Sequence, residues 1–227
     1  AGSRYSYSNS GYNLLGFIIE AVSGKSYRDF MQARIFQPLG MTQTFDRDPK
    51  YVIKNRAVGY EWDNGRLIGR DYDLTDIFSA GAIVSTIKDL AKWEAAWRGD
   101  RLLKPSSKEL AWTPVTLSDG KPYPYGFGWR FSDVRGHKLI AHSGQTAGFG
   151  ASISRFVDDD LTVIALTNLG EIGMGTLLAQ GIAKIYVPAI SLRAMKEQPG
   201  ADARVSQMLL TGLRERLEEK YNADLIT

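Results

Sequence analysis

One stretch decides the fold of this chain: Tyr5-Ser6-Tyr7-Ser8-Asn9-Ser10-Gly11-Tyr12-Asn13-Leu14-Leu15-Gly16. Its first half is rich in hydroxyl groups, and its second half opens an apolar pattern with helical spacing. Ser10 is the predicted N-cap, because its hydroxyl can accept a backbone N–H of the first turn, and Gly24 is the predicted end. The apolar face consists of Leu14, Leu15, Ile18, Ile19 and Val22. We expect a buried helix whose start holds Tyr7 and Asn9 on a short loop, either facing a cleft or simply capping the helix.

A second stretch, far along the chain, completes a pattern with the first: His142-Ser143-Gly144-Gln145-Thr146-Ala147-Gly148-Phe149-Gly150. Together with Tyr7-Ser8-Asn9 it resembles the serine β-lactamase and penicillin-binding-protein superfamily, most closely the branch of class C β-lactamases, esterases and D-alanyl-D-alanine peptidases. That branch has a Tyr-x-Asn motif on a loop and a Lys/His-x-Gly motif on an edge strand across the cleft. Phe78-Ser79-Ala80-Gly81-Ala82-Ile83-Val84-Ser85-Thr86 and Tyr125-Gly126-Phe127-Gly128-Trp129 also look like it. The resemblance runs from about Gly2 to about Tyr186.

This resemblance implies three catalytic residues. Tyr7 is the tyrosine that serves as general base and then as general acid, and Asn9 orients the family's lysine and a substrate oxygen. His142 stands where β-lactamases usually carry lysine. Because imidazole is largely neutral at pH 7, a histidine there resembles the esterases and certain peptidases and weakens the case for a true β-lactamase. The alternative for His142 is a hydrogen-bonded histidine at the end of a strand.

The same resemblance implies a substrate and oxyanion site next to His142. Ser143 and Gly144 let a substrate lie close to the strand backbone, since glycine has no side chain to obstruct it. The backbone N–H of Gln145 supplies one donor of the oxyanion hole, and the N–H of the nucleophile supplies the other. The implied partner is a small-molecule or peptide-like acyl substrate.

The resemblance also implies a nucleophile. The family's serine belongs to a Ser-x-x-Lys motif that precedes Tyr-x-Asn, and almost nothing precedes Tyr7 here. Ser85-Thr86-Ile87-Lys88 matches the letters, but it follows Tyr7, and Thr86 with Asp89 is typical of a capping box that opens a helix. We therefore expect a C-terminal fragment that lacks the Ser-x-x-Lys segment, with Ser85 as the alternative nucleophile.

Composition narrows the classes of function. The net charge is +3 and the basic residues are scattered, so nucleic-acid binding has little support. Without cysteine there is no disulfide, cysteine nucleophile or Cys-ligated zinc, and two histidines argue against a His-rich metal site. No apolar run approaches the length of a membrane span. We expect no cofactor and no metal. Composition leaves the compartment open, and the resemblance implies a periplasmic or extracellular location.

The order of the remaining patterns predicts an α+β fold. Helical patterns at the start, at 86–99 and at 172–187 enclose a series of strand patterns joined by short turns. The predicted strands are 126–132, 138–142, 151–156 and 161–167. The predicted buried side of the last helix is Leu177, Leu178, Ile182 and Ile185. The result is an antiparallel β-sheet flanked by helices, β-lactamase/transpeptidase-like by resemblance, with a helical C-terminal tail.

Shorter sequence patterns predict the structure of the segments between these elements. Ser26 with Asp29 predicts a capping box, and Ser106 is the predicted start of another short helix. The stretch 41–77 breaks the periodic pattern and predicts a long irregular excursion beside the cleft. Its aromatic residues Trp62 and Tyr72 either line a pocket or cover the body of the protein.

Two regions are expected from the chain as a whole. Residues 1–188 form a β-lactamase-like domain, N-terminally incomplete, and residues 189–227 form a linker and a helical tail. An amphipathic stripe marks the tail: Val205, Met208, Leu209, Leu213 and Leu217. This tail is either the start of an appended domain or a helix that docks on the body.

The leading hypothesis is a serine hydrolase that acts on an ester, amide or β-lactam through an acyl-serine intermediate, with this chain inactive alone. A missing segment would expose apolar surface, so self-association is expected. The alternatives are a non-catalytic binding or regulatory protein that keeps the cleft, and a folded fragment without a role of its own.

Overall fold

The computed structural model describes residues 2–48, 50–100 and 102–191, together with Gln207 and Thr211. Its α-helices are α1 (Asn9–Ser23), α2 (Tyr27–Met31), α3 (Gln37–Leu39), α4 (Ile87–Arg98), α5 (Pro105–Ala111) and α6 (Met174–Tyr186). A π-helical turn (Gln32–Phe36) joins α2 to α3, and 3₁₀ turns occupy Thr75–Ile77 and Pro188–Ile190. The strands are β1 (Phe45–Asp46), β2 (Gly59–Asp63), β3 (Arg66–Arg70), β4 (Ile83–Val84), β5 (Val115–Thr116), β6 (Pro122–Tyr123), β7 (Arg130–Val134), β8 (His137–Thr146), β9 (Phe149–Phe156) and β10 (Leu161–Thr167).

The main sheet has four antiparallel strands in the order β10-β9-β8-β7, which confirms the predicted meander and the α+β fold. The strand boundaries agree with the prediction to within two residues except for two, which differ by four residues each. The first strand begins at Arg130 rather than at 126, because Gly128 has a left-handed φ of 79° and the N–H of Gly126 donates to the carbonyl of Trp129 at 2.9 Å, closing a turn. The second strand continues past 142 to Thr146, so the His142 motif lies inside the strand and not at its end.

Helices cover both faces of this sheet. One face packs against α6 in a cluster of Leu139, Phe156, Val163, Ala165, Ala179, Ala183 and Ile190. Because successive strand residues point to opposite faces, Ile140 and Ile153 face the other way, where they pack against a second cluster. The buried members of that cluster are Trp97 of α4, Ala111 of α5 and Trp129. Trp97 thus anchors α4 in the core of the protein.

The predicted buried side of α6 is wrong. Its large apolar residues are exposed: Leu177 (63%), Leu178 (43%), Ile182 (38%) and Ile185 (75%). The helix packs instead through Gly175, Ala179 and Ala183, which follow one another at intervals of four residues. A Cβ at Gly175 would lie 3.0 Å from the carbonyl carbon of Ala151, so the small side chains are what allow the helix backbone to approach β9.

The first helix also differs from its prediction in two ways. Its N-cap is Ser8 and not Ser10, because Ser8 Oγ accepts the N–H of Gly11 at 3.1 Å. Asn9 therefore belongs to the first turn of α1 instead of a loop.

The helix α1 is not buried as predicted. Four of its apolar side chains are between 48% and 83% exposed: Leu14, Leu15, Ile18 and Val22. Its buried residue is Gly16. The predicted stop is confirmed, since Gly24 has the left-handed φ of 67° of a C-cap.

The remaining local predictions have mixed outcomes. Ser26 caps α2 and Thr86 caps α4, each accepting the N–H of the aspartate three residues later, so the N-cap half of both predicted capping boxes is confirmed. The Ser106 start is wrong, because α5 begins with Pro105. Proline suits this first helical position, since the missing N–H would have no partner there.

The stretch 41–77 contains β1, the β2–β3 hairpin and a 3₁₀ turn between irregular segments. Its hairpin joins the body of the protein where Tyr60 donates to the carbonyl of Asn168 at 2.9 Å and accepts the N–H of Gly170 at 2.8 Å. Trp62 and Tyr72 are each 56% exposed.

Contacts between Cα atoms define one compact unit, Ala1–Ile190, and a second unit, Ser191–Thr227. The predicted division at 188 and the nature of the tail stay predictions, because the linker and the amphipathic stripe from Val205 to Leu217 lie outside the described residues. In the described part of the chain, no helix has both the length and the apolar character needed to cross a membrane.

Candidate active site

Two of the predicted catalytic residues, Tyr7 and Asn9, lie at the start of α1 and border an open cleft. Tyr7 lies just before the helix and is 47% exposed, and Asn9 is the first helical residue. Both side chains line the cleft, which has a volume of ≈ 880 Å³. The register of the capped helix therefore determines where these two polar side chains stand.

The start of α1 is fixed by the stretch that follows the 3₁₀ turn Thr75–Ile77. Ser79 Oγ donates to the carbonyl of Tyr12 at 2.9 Å, and Asn13 Nδ2 donates to a carbonyl of the 3₁₀ turn at 2.6 Å. Gly16 permits this approach, because a Cβ there would come 2.2 Å from Ser79 Oγ. This contact gives the Phe78-Ser79 motif a physical role: it anchors the helix that carries Asn9.

The strand β8 supplies the other side of the site. Its first half, up to Ala141, pairs with β7, whereas residues 142–146 pair with β9 alone among the described strands. We call residues 142–146 the open edge of β8. An edge without a partner strand leaves backbone N–H and C=O groups available to a ligand. The predicted residues His142, Ser143, Gly144 and Gln145 all lie on this edge and line the cleft.

Three rings come together where the open edge meets the start of α1. The centroids of the Tyr7 and His142 rings are 6.2 Å apart, with an interplanar angle of 28°. Tyr125 approaches both rings edge-on, at 6.3 Å from Tyr7 and 5.9 Å from His142. Its Oη lies 3.1 Å from His142 Nε2, at hydrogen-bond distance. We call Tyr7, Tyr125 and His142 the ring cluster.

Burial keeps two members of the ring cluster neutral. Tyr125 is only 7% exposed, and desolvation raises the pKa of its phenol, with smaller contributions from Tyr12. Burial also lowers the pKa of His142, and the positive charge of Arg130 lowers it further, against a backbone hydrogen bond with Ser143 that raises it. The prediction of a neutral imidazole at this position is thus supported by the electrostatics of the site.

Arg130 is a residue of the site that the sequence analysis missed. Its guanidinium carbon lies 6.0 Å from the centroid of the Tyr7 ring and 5.6 Å from that of Tyr125. It opens β7 opposite Ala141, one residue before the open edge, and it lines the cleft. The only signal in the sequence is its place directly after the Tyr125–Trp129 motif, which received no assigned role.

One wall of the cleft carries two more arginines, Arg47 and Arg56. Arg56 Nη1 and Nη2 donate to the carboxylate of Asp71 at 2.9 and 2.7 Å, and Arg47 pairs with the same carboxylate at 2.5 Å. The hydrogen bond from Arg56 is the main reason that the pKa of Asp71 falls to about 2. Both arginine charges on this wall are thereby partly neutralised, and the loop that carries them is tied to the segment after β3.

Ser85, the alternative nucleophile, also lines the cleft. Its hydroxyl lies 2.8 Å from Thr44 Oγ1, which in turn donates to Asp89 Oδ2 at 3.0 Å. Ser85 precedes Thr86, the N-cap of α4, so it stands outside the helix that contains Lys88. Serine and lysine therefore do not share a helical turn, and Ser85 is occupied by a structural hydrogen bond.

The arrangement can bind and polarise an acyl group. It offers a phenol, an amide side chain, a neutral imidazole and a backbone edge around one space, the groups that acyl transfer requires beside a nucleophile. The structure brings together every residue predicted for the site and adds Tyr125 and Arg130.

Comparison with known proteins identifies the family. A family model described as Beta-lactamase matches residues 1–185. Penicillin-binding protein 4* of Bacillus subtilis is 35% identical over 184 residues, which cover 73% of this chain and 40% of the relative. D-aminopeptidase of Brucella canis is 30% identical over 204 residues, which cover 88% of this chain and 38% of the relative. The chain thus spans about two fifths of the length of these two relatives.

A solved structure agrees with these sequence matches. The octameric penicillin-binding protein homologue from Pyrococcus abyssi superposes with a TM-score of 0.72 at 29% identity, over 82% of this chain and 43% of that one. The chain therefore belongs to the β-lactamase family, with penicillin-binding proteins and D-aminopeptidases among its relatives.

Proposed function

We propose that this chain is the nucleophile-lacking part of a serine hydrolase that acts on an ester, amide or β-lactam through an acyl-serine intermediate. The observation that supports the proposal is the convergence of Tyr7, Asn9 and His142 on one cleft beside the open edge of β8. On this proposal the serine belongs to a Ser-x-x-Lys segment outside this sequence. The 227-residue chain alone then binds substrates without turning them over.

Ser85 is a poor candidate for that serine. Its hydrogen bond to Thr44 would have to break before it could attack a carbonyl. In the described part of the chain no hydrogen bond links it to Lys88, which is exposed on the first turn of α4. A serine hydroxyl needs a base within hydrogen-bond reach to act as a nucleophile, and among the described residues the hydrogen-bond partner of Ser85 is the hydroxyl of Thr44.

Tyr7 moves the proton in the proposed reaction. It accepts the proton of the attacking serine hydroxyl while that oxygen bonds to the acyl carbon. When the bond from the acyl carbon to the leaving oxygen or nitrogen breaks, Tyr7 returns the proton to the leaving atom. A water molecule then attacks the acyl carbon of the acyl-serine while Tyr7 takes its proton. When the bond from the acyl carbon to the serine oxygen breaks, Tyr7 returns the proton to that oxygen, which releases the carboxylic acid and restores the serine. Asn9 has both donor and acceptor atoms with which to hold the lysine of the missing motif and the substrate.

His142 acts as a neutral hydrogen-bonding group and not as a cation. Since Tyr125 and His142 are both neutral near pH 7, the phenol O–H donates to Nε2, the better acceptor, and the imidazole proton resides on Nδ1. The ring then carries its single N–H on Nδ1 and bears no charge. This assignment favours the esterase and peptidase side of the family over the β-lactamases.

The open edge supplies the proposed oxyanion donor. Gln145 offers its backbone N–H, and its side chain is occupied elsewhere, with Nε2 donating to the carbonyl of Gly170 at 2.7 Å. That bond ties the far end of the open edge to the loop after β10. A donor held in place before the reaction costs no reorganisation when the oxyanion forms.

Hydrolysis by the complete reading frame tests the proposal. We would assay a chromogenic ester, a D-amino acid anilide and a chromogenic cephalosporin, and expect Tyr7→Phe to lower kcat by about 10² to 10⁴. Tyr72→Phe is the matched control, because Tyr72 is exposed and does not line the cleft. Unchanged turnover in Tyr7→Phe would rule out its role as base. Binding of these substrates without hydrolysis of any of them would favour the non-catalytic binding protein.

A further inference from the structure

A second cavity lies between α4, α5 and β9, and its volume is ≈ 690 Å³. We call it the tryptophan cavity, after its lining residues Trp97 of α4 and Trp112 at the end of α5. Arg155 of β9 lines it from the side of the sheet. Among the described residues, none lines both this cavity and the active-site cleft. The tryptophan cavity is therefore a separate space.

Three N–H donors of this lining lack a hydrogen-bond partner among the described residues: Trp97 Nε1, Trp112 Nε1 and Arg155 Nε. All three nitrogen atoms are buried, and Trp97 and Arg155 are each only 6% exposed as whole residues. A buried donor without an acceptor is unfavourable, and a group that supplies the acceptor recovers that free energy. Since indole and guanidinium groups only donate, the partner they need is a hydrogen-bond acceptor.

The three donors belong to planar groups that lie against one another. The rings of Trp97 and Trp112 are stacked, with centroids 5.4 Å apart and an interplanar angle of 13°. The guanidinium carbon of Arg155 lies 4.7 Å from the centroid of the Trp112 ring. Trp112 is the least buried of the three residues and follows the short helix α5 as its C-cap. We therefore expect the Trp112 ring to shift when a flat ligand enters beside the donors.

The charged side chains around the cavity are already paired, which argues against a charged ligand. Arg98 and Arg155 both donate to the carboxylate of Glu94, which is 8% exposed. Lys108 pairs with Asp100 at 2.7 Å. A carboxylate ligand beside Arg155 would add a second negative charge near Glu94, and an ammonium ligand would bring more donors where acceptors are needed. A neutral ligand leaves the existing ion pairs intact.

We propose that the tryptophan cavity binds a small, neutral aromatic ligand that carries carbonyl or ring-nitrogen acceptors and neither a carboxylate nor an ammonium group. The acceptors of such a ligand pair with the N–H groups of Trp97, Trp112 and Arg155, and its ring stacks on the neighbouring indole. The inference does not rest on the proposed function, because the cavity and the cleft have no described lining residue in common.

The indole N–H signals of the five tryptophans, observed by NMR, test this inference. The 227-residue chain, isotope-labelled at its tryptophans, is titrated with three probes that share a phenyl ring: N,N-dimethylbenzamide, benzoate and protonated N,N-dimethylbenzylamine. The first probe has a carbonyl acceptor and no N–H, and the other two carry a negative and a positive charge. We expect dimethylbenzamide to move the indole protons of Trp97 and Trp112 downfield, as hydrogen bonding does. It should bind about 10-fold or more tightly than either charged probe.

Two matched variants locate the binding site. Trp112→Phe keeps an aromatic ring at the end of α5 but removes its N–H, and it should weaken the binding of dimethylbenzamide by about 5- to 10-fold. Trp62→Phe makes the same change at a residue that is 56% exposed and does not line the cavity. It should leave the affinity within about 2-fold of the parent. If Trp112→Phe does not fold, the indole signals of the parent decide the question on their own.

Three results would overturn the inference. The first is that dimethylbenzamide leaves the Trp97 and Trp112 signals of the parent unmoved. The second is that all three probes move these signals with equal affinity, because the cavity would then be an apolar surface that does not select for acceptors. The third is equal binding of dimethylbenzamide by the parent and by folded Trp112→Phe, which would show that the indole N–H does not contact the ligand.

Discussion

The phenol oxygen of Tyr125 lies 3.1 Å from Nε2 of His142, and this hydrogen bond joins the motif Tyr125–Trp129 to the open edge of β8. It occurs at a buried position, since Tyr125 is 7% exposed. A hydrogen bond in such a place orients the imidazole and defines which of its nitrogen atoms faces the cleft. The relationship explains why a tyrosine before the Gly-Phe-Gly-Trp run matters to a site formed by other elements.

Replacing Tyr125 with Phe should lower the free energy of unfolding of the chain and remove the hydrogen bond that orients the His142 ring. The change leaves Nε2 without its partner, which costs about 1–3 kcal/mol for a buried polar group. Urea unfolding of the 227-residue chain measures this loss, and Tyr72→Phe, on the surface, should stay within about 0.5 kcal/mol of the parent. A free energy of unfolding unchanged in Tyr125→Phe would show that the hydrogen bond contributes nothing to the fold.

The depressed pKa of His142 predicts a specific pH dependence. Its ordinary pKa is 6.5, and burial first, then Arg130, lowers the folded value. Between the folded value and 6.5 the unfolded chain binds more protons than the native one, so the free energy of unfolding rises with pH across this window and levels off above it. The stabilising contribution is lost as the pH falls from 6.5 toward the depressed value.

Unfolding of the parent and of His142→Gln from pH 5 to pH 8 measures this contribution. His137 remains in both proteins, so the difference between the two curves reports His142. The imidazole should titrate below 6.5 by NMR in the parent and closer to 6.5 in Arg130→Gln. A titration at or above 6.5 in the parent would contradict the neutral role assigned to His142.

Two glycines of the site should respond differently to alanine. A Cβ at Gly144 would meet nothing within 4 Å, so Gly144→Ala should keep the stability within about 0.5 kcal/mol while the added methyl group obstructs substrate on the open edge. Gly16→Ala would place its Cβ 2.2 Å from Ser79 Oγ and should cost about 1–3 kcal/mol. Unfolding and hydrolysis by the complete protein distinguish the two effects. Full activity in Gly144→Ala would show that substrate does not lie against this residue.

The exposed side of α6 should make the chain self-associate. Leu177 and Ile185 are 63% and 75% exposed on one helix, and α1 exposes Leu14 and Val22 as well. Light scattering after size exclusion should show a mass that rises with concentration, and Leu177→Gln with Ile185→Gln should lower it without reducing stability, because neither side chain is buried. A monomer at every soluble concentration would contradict this prediction.

Local sequence patterns predicted the element types well and their exact positions less well. Ser8 and Ser10 both precede the apolar run, and a hydroxyl at either position could cap the helix. In the structure Ser8 is the N-cap, and the hydrogen bonds of Tyr12 and Asn13 to Ser79 and the 3₁₀ turn hold the start of the helix in this position. The shift matters for function, because it puts Asn9 on the first turn of α1.

The error in α6 has a different cause. The sequence offers two candidate sides, one with large apolar residues and one with Gly175, Ala179 and Ala183. Burial of large side chains is favoured on average, but here small residues allow the helix to lie close to β9. The side of α6 that packs on the sheet depends on the distance between the helix and the sheet. That distance cannot be deduced from the sequence of the helix alone. Arg130 could not be recognised from local sequence either, because its place in the site depends on its contact with the Tyr7 ring, which is distant in sequence.

Active-site labelling tests the central claim most directly. The complete reading frame and the 227-residue chain are treated side by side with a fluorophosphonate, and the modified residue is located by peptide mass spectrometry. We predict a label on a serine of a Ser-x-x-Lys motif that precedes Tyr7 in the complete protein, and none on the 227-residue chain. A label on Ser85 in both proteins would contradict the account of the nucleophile, and no label in either would contradict the hydrolase itself.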